Sequence, residues 1–286
     1  MVQSNSIGDA FHNAFGLNRL AVGVVVAAIA AFIFLGGVQR IAAVTEKVVP
    51  IMAAFYILGC IVILVINAKA LPGALAQVFV LAFEPQAMAG GIAGVTVQQS
   101  MRFGVARGLF SNEAGSGSAP CAAAAAECDD PVKMGFVQAL GVLIDTVVIC
   151  SCTAFLMLLV PQERTAGLAG MDLLQKAMQY HLGSFGIVFI AVTLALFSFS
   201  TFLGVLYYAR GNVAYLCGDN WWSQTAYKLL ALAMLLVGGT QAYTVVWDLG
   251  DVGIGLMTIF NMLALIPLSG EALTALNDYE KRKKIK

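Results

Sequence analysis

Asp145 is the one acid near the middle of a long apolar stretch, residues 134–162. Gln138, Gly141, Asp145, Cys152 and Thr153 recur at i+3, i+4 and i+7 spacing, so a helix carries them on one stripe. A carboxylate inside a membrane is costly. It either faces a cavity and marks an ion or proton path, or holds two helices together by a hydrogen bond or ion pair. A second set lies in residues 184–209, where Thr193, Ser200, Thr201, Gly204 and Tyr208 share a face, with Ser198 nearby. Such hydroxyls act as packing glue between helices or as hard oxygen ligands for a small cation. The third set is Gly90, Gly91 and Gly94, just after Glu84-Pro85-Gln86. Glycines permit unwound backbone, which at membrane depth is tolerated only where it lines a cavity or is buried in protein. Half-helix ends then offer N–H groups to anions and carbonyls to cations. The other reading of these glycines is close helix packing, as for Gly23, Ala27 and Ala31.

Other chemistries lack their residues. Six cysteines include no CxxC pair and mostly fall in apolar runs, where they read as small buried hydrophobes. His12 and His181 fall in outer loops, and neither HExxH nor GxSxG occurs, so nothing points to an enzyme. A TVGYG-type filter is absent too. The Gly/Ser-rich loop 108–133 has no phosphate-loop lysine; within it, residues 118–127 read as a short linker helix with a capping serine and Pro120 in the first turn.

The elements that must position these residues follow from composition. Of 286 residues, 60% are hydrophobic and 11% charged, against roughly 25% charged in soluble domains. Mean hydropathy is +0.85. These values exclude a soluble enzyme and a disordered chain. Sixteen basic residues balance sixteen acidic ones, so no field draws in nucleic acid. Charge-poor spans at 20–39, 48–68, 134–160, 184–209, 229–247 and 252–270 are each near the ~20 residues that cross a bilayer as a helix. Residues 71–107 read as one further, broken crossing. The expectation is an all-α, multi-span integral membrane protein, a single transmembrane domain over 1–286 with seven crossings. Placing the basic tail 271–286 and the loop 108–133 in the cytoplasm puts twelve basic residues inside and four outside, as the positive-inside bias requires. That expects a plasma (bacterial inner) membrane location with a cytoplasmic C-terminus. The odd count expects a preceding segment.

At the loop the residues become recognisable. Gly104-Val-Ala-Arg-Gly-Leu-Phe-Ser-Asn-Glu-Ala-Gly-Ser-Gly-Ser-Ala-Pro-Cys-Ala-Ala-Ala-Ala-Ala126 resembles the signature run of the sodium:alanine (alanine or glycine:cation) symporter family. Gly36-Gly-Val-Gln-Arg-Ile-Ala, Glu46-Lys-Val-Val-Pro-Ile-Met-Ala, Ile144-Asp-Thr and Leu263-Ala-Leu resemble the same family. The resemblance implies a partial LeuT-like inverted-repeat fold with a discontinuous helix, the chain being the C-terminal portion without the first core helices. Gln3 and Asn5 would then approach the substrate, with Gly90, Gly91 and Gly94 in the unwound helix; Ser200 and Thr201 would complete a sodium site. One departure is Phe260-Asn261, where the family often has Pro-Asn.

The implied function is sodium-coupled symport of small neutral amino acids, alanine or glycine, by alternating access. Na+ is the coupling ion, the lipid bilayer is the surroundings, and no other cofactor or metal is implied. The alternative of another class is a transport-inactive fragment, or a half-transporter needing an N-terminal partner. Proton coupling through Asp145 is a third possibility.

Overall fold

The computed structural model describes residues 1–36, 38–82 and 91–283. Among them every regular element is a helix, as long apolar runs require when backbone groups have no water to bind. The order is α1 Val2–Phe15, α2 Arg19–Leu35, α3 Val38–Ile66, α4 Leu71–Ala82, α5 Gly91–Asn112 and α6 Ser118–Ala124. Then come α7 Pro131–Leu158, α8 Gln162–Thr165, α9 Gly170–Leu182, α10 Ser184–Cys217, α11 Trp221–Thr240 and α12 Tyr243–Lys283. Several starts are capped by the side chain the sequence supplies. Asn18, Asp130 and Asn220 accept from the backbone N–H of Leu20, Val132 and Ser223 at 2.8, 3.0 and 2.9 Å.

Among the described residues, four helices are long and apolar enough to cross a membrane: residues Arg40–Ile66 of α3, α7, α10 and α12. Two shorter apolar helices are Arg19–Phe34 and Leu71–Val80. Their limits differ from the charge-free spans. Chain reversal falls at residues 241–242, so Asp248 and Asp251 lie inside α12, and the helix runs on through the expected tail to Lys283. Charge gaps mark where hydrocarbon ends, whereas a helix ends only where its backbone hydrogen bonds do.

The chain forms two compact units. The first is Met1–Val80 with Cys152–Asp248, the second Leu81–Ser151 with Leu249–Lys286. In the first, Ala27, Ala30, Phe34, Ile41, Phe202, Leu203, Leu206 and Leu235 form a buried core between α2, α3, α10 and α11. Tyr227 closes it, donating its hydroxyl to Leu206 O at 2.7 Å and meeting Phe34 edge-on at 5.7 Å. Beside it, Phe189 packs with Phe55 and Phe185, and Gly59 leaves the space its ring fills. In the second unit the spans turn large apolar residues outward, including Phe136, Val147, Phe260 and Ile266, a surface suited to lipid. The cysteines depart from expectation. Only Cys60 is buried, Cys128 and Cys217 are exposed, and all six are free; an apolar run in a lipid-facing helix does not bury its thiols.

Candidate functional site

The second unit gathers its polar side chains where α5 ends against α7. Residues Ile144–Cys150 of α7 are π-helical, a local widening that recurs at functional sites. Its i→i+5 repeat returns Cys150, rather than Cys152, above Asp145. The Cys150 thiol lies 3.9 Å from Asp145 Oδ2, and Ser151 donates to Thr146 O at 3.3 Å in the same repeat. Ser111, in the last turn of α5, donates to Asp145 Oδ2 at 2.7 Å and meets Cys150 Sγ at 3.2 Å. Asn112 donates to Thr146 Oγ1 at 2.9 Å. The expected stripe is therefore corrected. Cys152 and Thr153 leave it because the π-turn rotates the helix, and Thr153 instead bonds Tyr56 at 2.6 Å within the first unit.

The turn after α5 lies against the middles of two helices long and apolar enough to cross a membrane. Asp145 stands fourteen positions beyond Pro131, about 21 Å along α7 at ~1.5 Å per residue. Asn261, near the middle of α12, donates to Gly115 O at 3.0 Å. Part of the segment expected as a cytoplasmic loop is thus set against the middles of α7 and α12. Its backbone runs through left-handed Glu113, Gly115 and Gly117, at φ 54°, 89° and 93°. A Cβ on Gly117 would meet the Asn261 side chain at 3.2 Å, so glycine serves twice there. Asn112 Oδ1 accepts from Ala114 N at 3.0 Å, and Ser116 and Ser118 share a buried hydrogen bond of 2.9 Å. Ser118 starts α6 without capping it; Gly117 is the cap residue. Irregular backbone at this depth is tolerated when its polar groups are held this way.

Charged pairs brace the same unit. Arg107 of α5 binds Asp251 of α12 at 2.8 Å. Arg282, near the end of α12, binds Asp130 at 2.6 Å. The Val132 N–H, and after it Arg282, hold the Asp130 carboxyl below the usual carboxylate range.

In the first unit, Asn5 is 2% exposed and donates to Gly238 O at 3.1 Å and Gln241 O at 2.8 Å, at the end of α11. Its Oδ1 is buried without a partner among the described residues. Gln3 is half-buried in the same turn of α1. On α10, Ser200 is buried and donates to Phe197 O at 2.9 Å, with Met52 Sδ at 3.6 Å. That bond uses its one proton and leaves oxygen lone pairs available. Thr201 is exposed, since adjacent helical positions diverge by ~100°. Thr193 and Ser198 are buried on the same helix.

Gly90 lies outside the described residues, and Gly91 and Gly94 fall in the first turn of α5. Gln3, Asn5, Ser200 and Thr201 belong to the first unit and Asp145 to the second. Sequence reasoning missed Ser111, Cys150 and Asn261. For Ser111 and Asn261 the signal was a hydroxyl or amide interrupting an apolar run; for Cys150 only the π-turn reveals the pairing.

Helices long and apolar enough to span a bilayer, with large apolar side chains turned outward, define a multi-span helical membrane protein. The model of the sodium:alanine symporter family matches residues 1–286. The chain belongs to that family, whose members are transporters, not enzymes. A probable sodium/glutamine symporter, GlnT, of Bacillus subtilis is 42% identical over 283 residues, covering 99% of this chain and 58% of its own length. The amino-acid carrier protein AlsT of Bacillus subtilis is 39% identical over 285 residues, covering 99% and 59%. A sodium/proton-dependent alanine carrier protein of Bacillus sp. PS3 is 36% identical over 299 residues, covering 99% and 66%. The chain spans 58% and 59% of the length of the two Bacillus subtilis relatives.

Proposed function

We propose that this chain belongs to a sodium-coupled symporter that takes small neutral amino acids, alanine or glycine foremost, across the plasma membrane by alternating access. The observation that carries it is the family match over 1–286, which covers the buried amide of Asn5 and the buried hydroxyl of Ser200. In this reading Gln3, Asn5 and the glycines 90, 91 and 94 serve the amino acid, and Ser200 and Thr201 serve Na+. Twelve basic residues on one side support a cytoplasmic C-terminus in this reading.

The test is uptake of labelled alanine into proteoliposomes under an inward sodium gradient, with potassium in its place as control. Sodium-driven uptake supports the proposal; equal uptake in both overturns it. The identity to a probable sodium/glutamine symporter favours one second reading, glutamine as substrate. Competition by unlabelled glutamine stronger than by alanine or glycine would select it. Thr201→Val and Ser200→Ala test the ion site. An ion–hydroxyl contact of about 1.5–3 kcal/mol makes the half-saturating sodium concentration rise roughly 10- to 100-fold. An unchanged sodium dependence removes that residue from the site.

A further inference from the structure

We propose that the junction of α10 and α11 binds the headgroup of an anionic phospholipid, held by Arg210, Lys228 and the side-chain amide of Gln224. The charges set the level of the junction. Residues 184–209 and 229–247 are uncharged, so Arg210 closes one apolar run and Lys228 opens the next at the same membrane surface. As a helix, residues 184–209 reach about 39 Å, more than the ~30 Å hydrocarbon core, so α10 tilts and lowers its end toward the headgroups. Tyr215 lies about 8 Å past Arg210, and Trp222 about 9 Å before Lys228. The headgroup layer there is about 5–8 Å deep. Tyr215, Leu216 and Trp222 are the three most exposed large apolar side chains among the described residues. Trp221 stands edge-on to Trp222 at 4.7 Å. Tyrosine and tryptophan rings settle at a bilayer interface.

The cations gather beside them. Tyr227 joins the two helices through its bond to Leu206 O; Arg210 is one turn beyond Leu206, and Lys228 follows Tyr227. Lys228 Nζ lies 5.5 Å from the centre of the Phe34 ring, at the end of α2. Arg40 meets the same helix end, donating to Phe32 O at 3.0 Å. Among the described residues, neither Lys228 nor Arg40 is in an ion pair. Arg210 meets Asp219 at 3.6 Å with both side chains exposed, a contact that contributes little. Asp219 is the one acid between Arg210 and Lys228, so three cations face one anion.

Gln224 adds an independent observation. It lies in the first turn of α11, the positive end of the helix dipole, four positions before Lys228 and on the same stripe. The residue is buried, yet its Nε2 and Oε1 bond nothing among the described residues. A buried amide with both atoms unsatisfied is unfavourable. When the side chain turns toward Lys228, a phosphate oxygen accepts from its nitrogen and a glycerol hydroxyl donates to its oxygen. Phosphatidylglycerol carries both groups and is the lipid to test.

The full chain is placed in phosphatidylcholine nanodiscs with Trp247→Phe, so that Trp221 and Trp222 are the remaining tryptophans. Brominated acyl chains quench nearby indole fluorescence. At equal low mole fraction, brominated phosphatidylglycerol is expected to quench severalfold more than brominated phosphatidylcholine. Arg210→Gln with Lys228→Gln should remove the excess, each charge being worth roughly fivefold in lipid preference. Gln224→Leu keeps the charges and should lower the preference roughly fivefold. Arg164→Gln, away from the junction, should keep it. Salt of about 1 M, where the screening length is about 3 Å, should weaken the excess; that arm needs no change at the site and stands if the double variant fails to fold. Equal quenching by the two lipids would overturn the site, as would an excess that survives high salt, the double substitution or Gln224→Leu. The assay needs no transport, so its outcome is independent of the symport reading.

Discussion

Gly59 of α3 faces Phe189 of α10, and its replacement by alanine tests the packing of the first unit. A Cβ built there would collide with the tip of the Phe189 ring and stand 3.0 and 3.2 Å from the flanking ring carbons. Carbon contacts are comfortable at about 3.5–4.0 Å. The ring cannot swing freely, because it is 4% exposed and its centroid lies 5.0 Å from that of Phe55 and 6.1 Å from that of Phe185. Overpacking of this kind costs about 1–3 kcal/mol. At roughly 2–4 °C per kcal/mol for a body of this size, Gly59→Ala should melt about 2–12 °C lower. Cys60, the next residue and fully buried, makes the assay direct: with the other five cysteines replaced by alanine, a thiol-reactive fluorogenic dye in a thermal ramp reads its exposure. Phe189→Leu, which shortens the offending side chain, should recover much of the loss in the double variant. An unchanged melting temperature in Gly59→Ala, or a loss that Phe189→Leu leaves intact, would refute the packing.

Three further outcomes are expected. Gly117→Ala combines a left-handed backbone with crowding against Asn261; the strain alone is about 1–2 kcal/mol, read as a lower melting temperature that Asn261→Ala partly relieves. Tyr227→Phe keeps the edge contact with Phe34 but loses the bond to Leu206 O, and should cost about 1 kcal/mol in the same thermal assay. The Asp130 carboxyl, held below its ordinary value by Val132 N–H and then by Arg282, contributes its tether above the usual carboxylate range and loses it as pH falls through the lowered value. A nitroxide at Lys281→Cys should therefore gain mobility only in acid. Asp130→Asn, which still caps α7 but carries no charge, should show that mobility at neutral pH; a pH-independent spectrum refutes the tether.

The all-helical, multi-span character was legible because long charge-free apolar runs have few alternatives to a helix. What escaped was geometry that breaks the regular repeat. Counting at i+3, i+4 and i+7 paired Asp145 with Cys152, whereas the π-turn pairs it with Cys150. The capping serine expected at Ser118 instead bonds Ser116, because the left-handed Gly117 ends the turn and serves as cap. Nor does charge spacing say that the segment between α5 and α7 folds back along them. That depends on Asn261 holding Gly115 O from 146 positions away, a pairing no local pattern encodes.

These unforeseen contacts share a physical role. In lipid, apolar side chains gain little by leaving their surroundings for each other, and a polar contact between helices averages only about 0.6 kcal/mol. Arg107 with Asp251, Ser111 with Asp145, Asn112 with Thr146 and Asn261 with Gly115 O therefore add modest stability to the second unit. Their effect is selective: sliding α5 by one residue along α7 would leave a carboxylate and an amide unpaired in hydrocarbon, where each unsatisfied group costs several kcal/mol. Register is set by that penalty. Three of the four pairs involve the last two turns of α5, so that end of the helix is where its register is fixed.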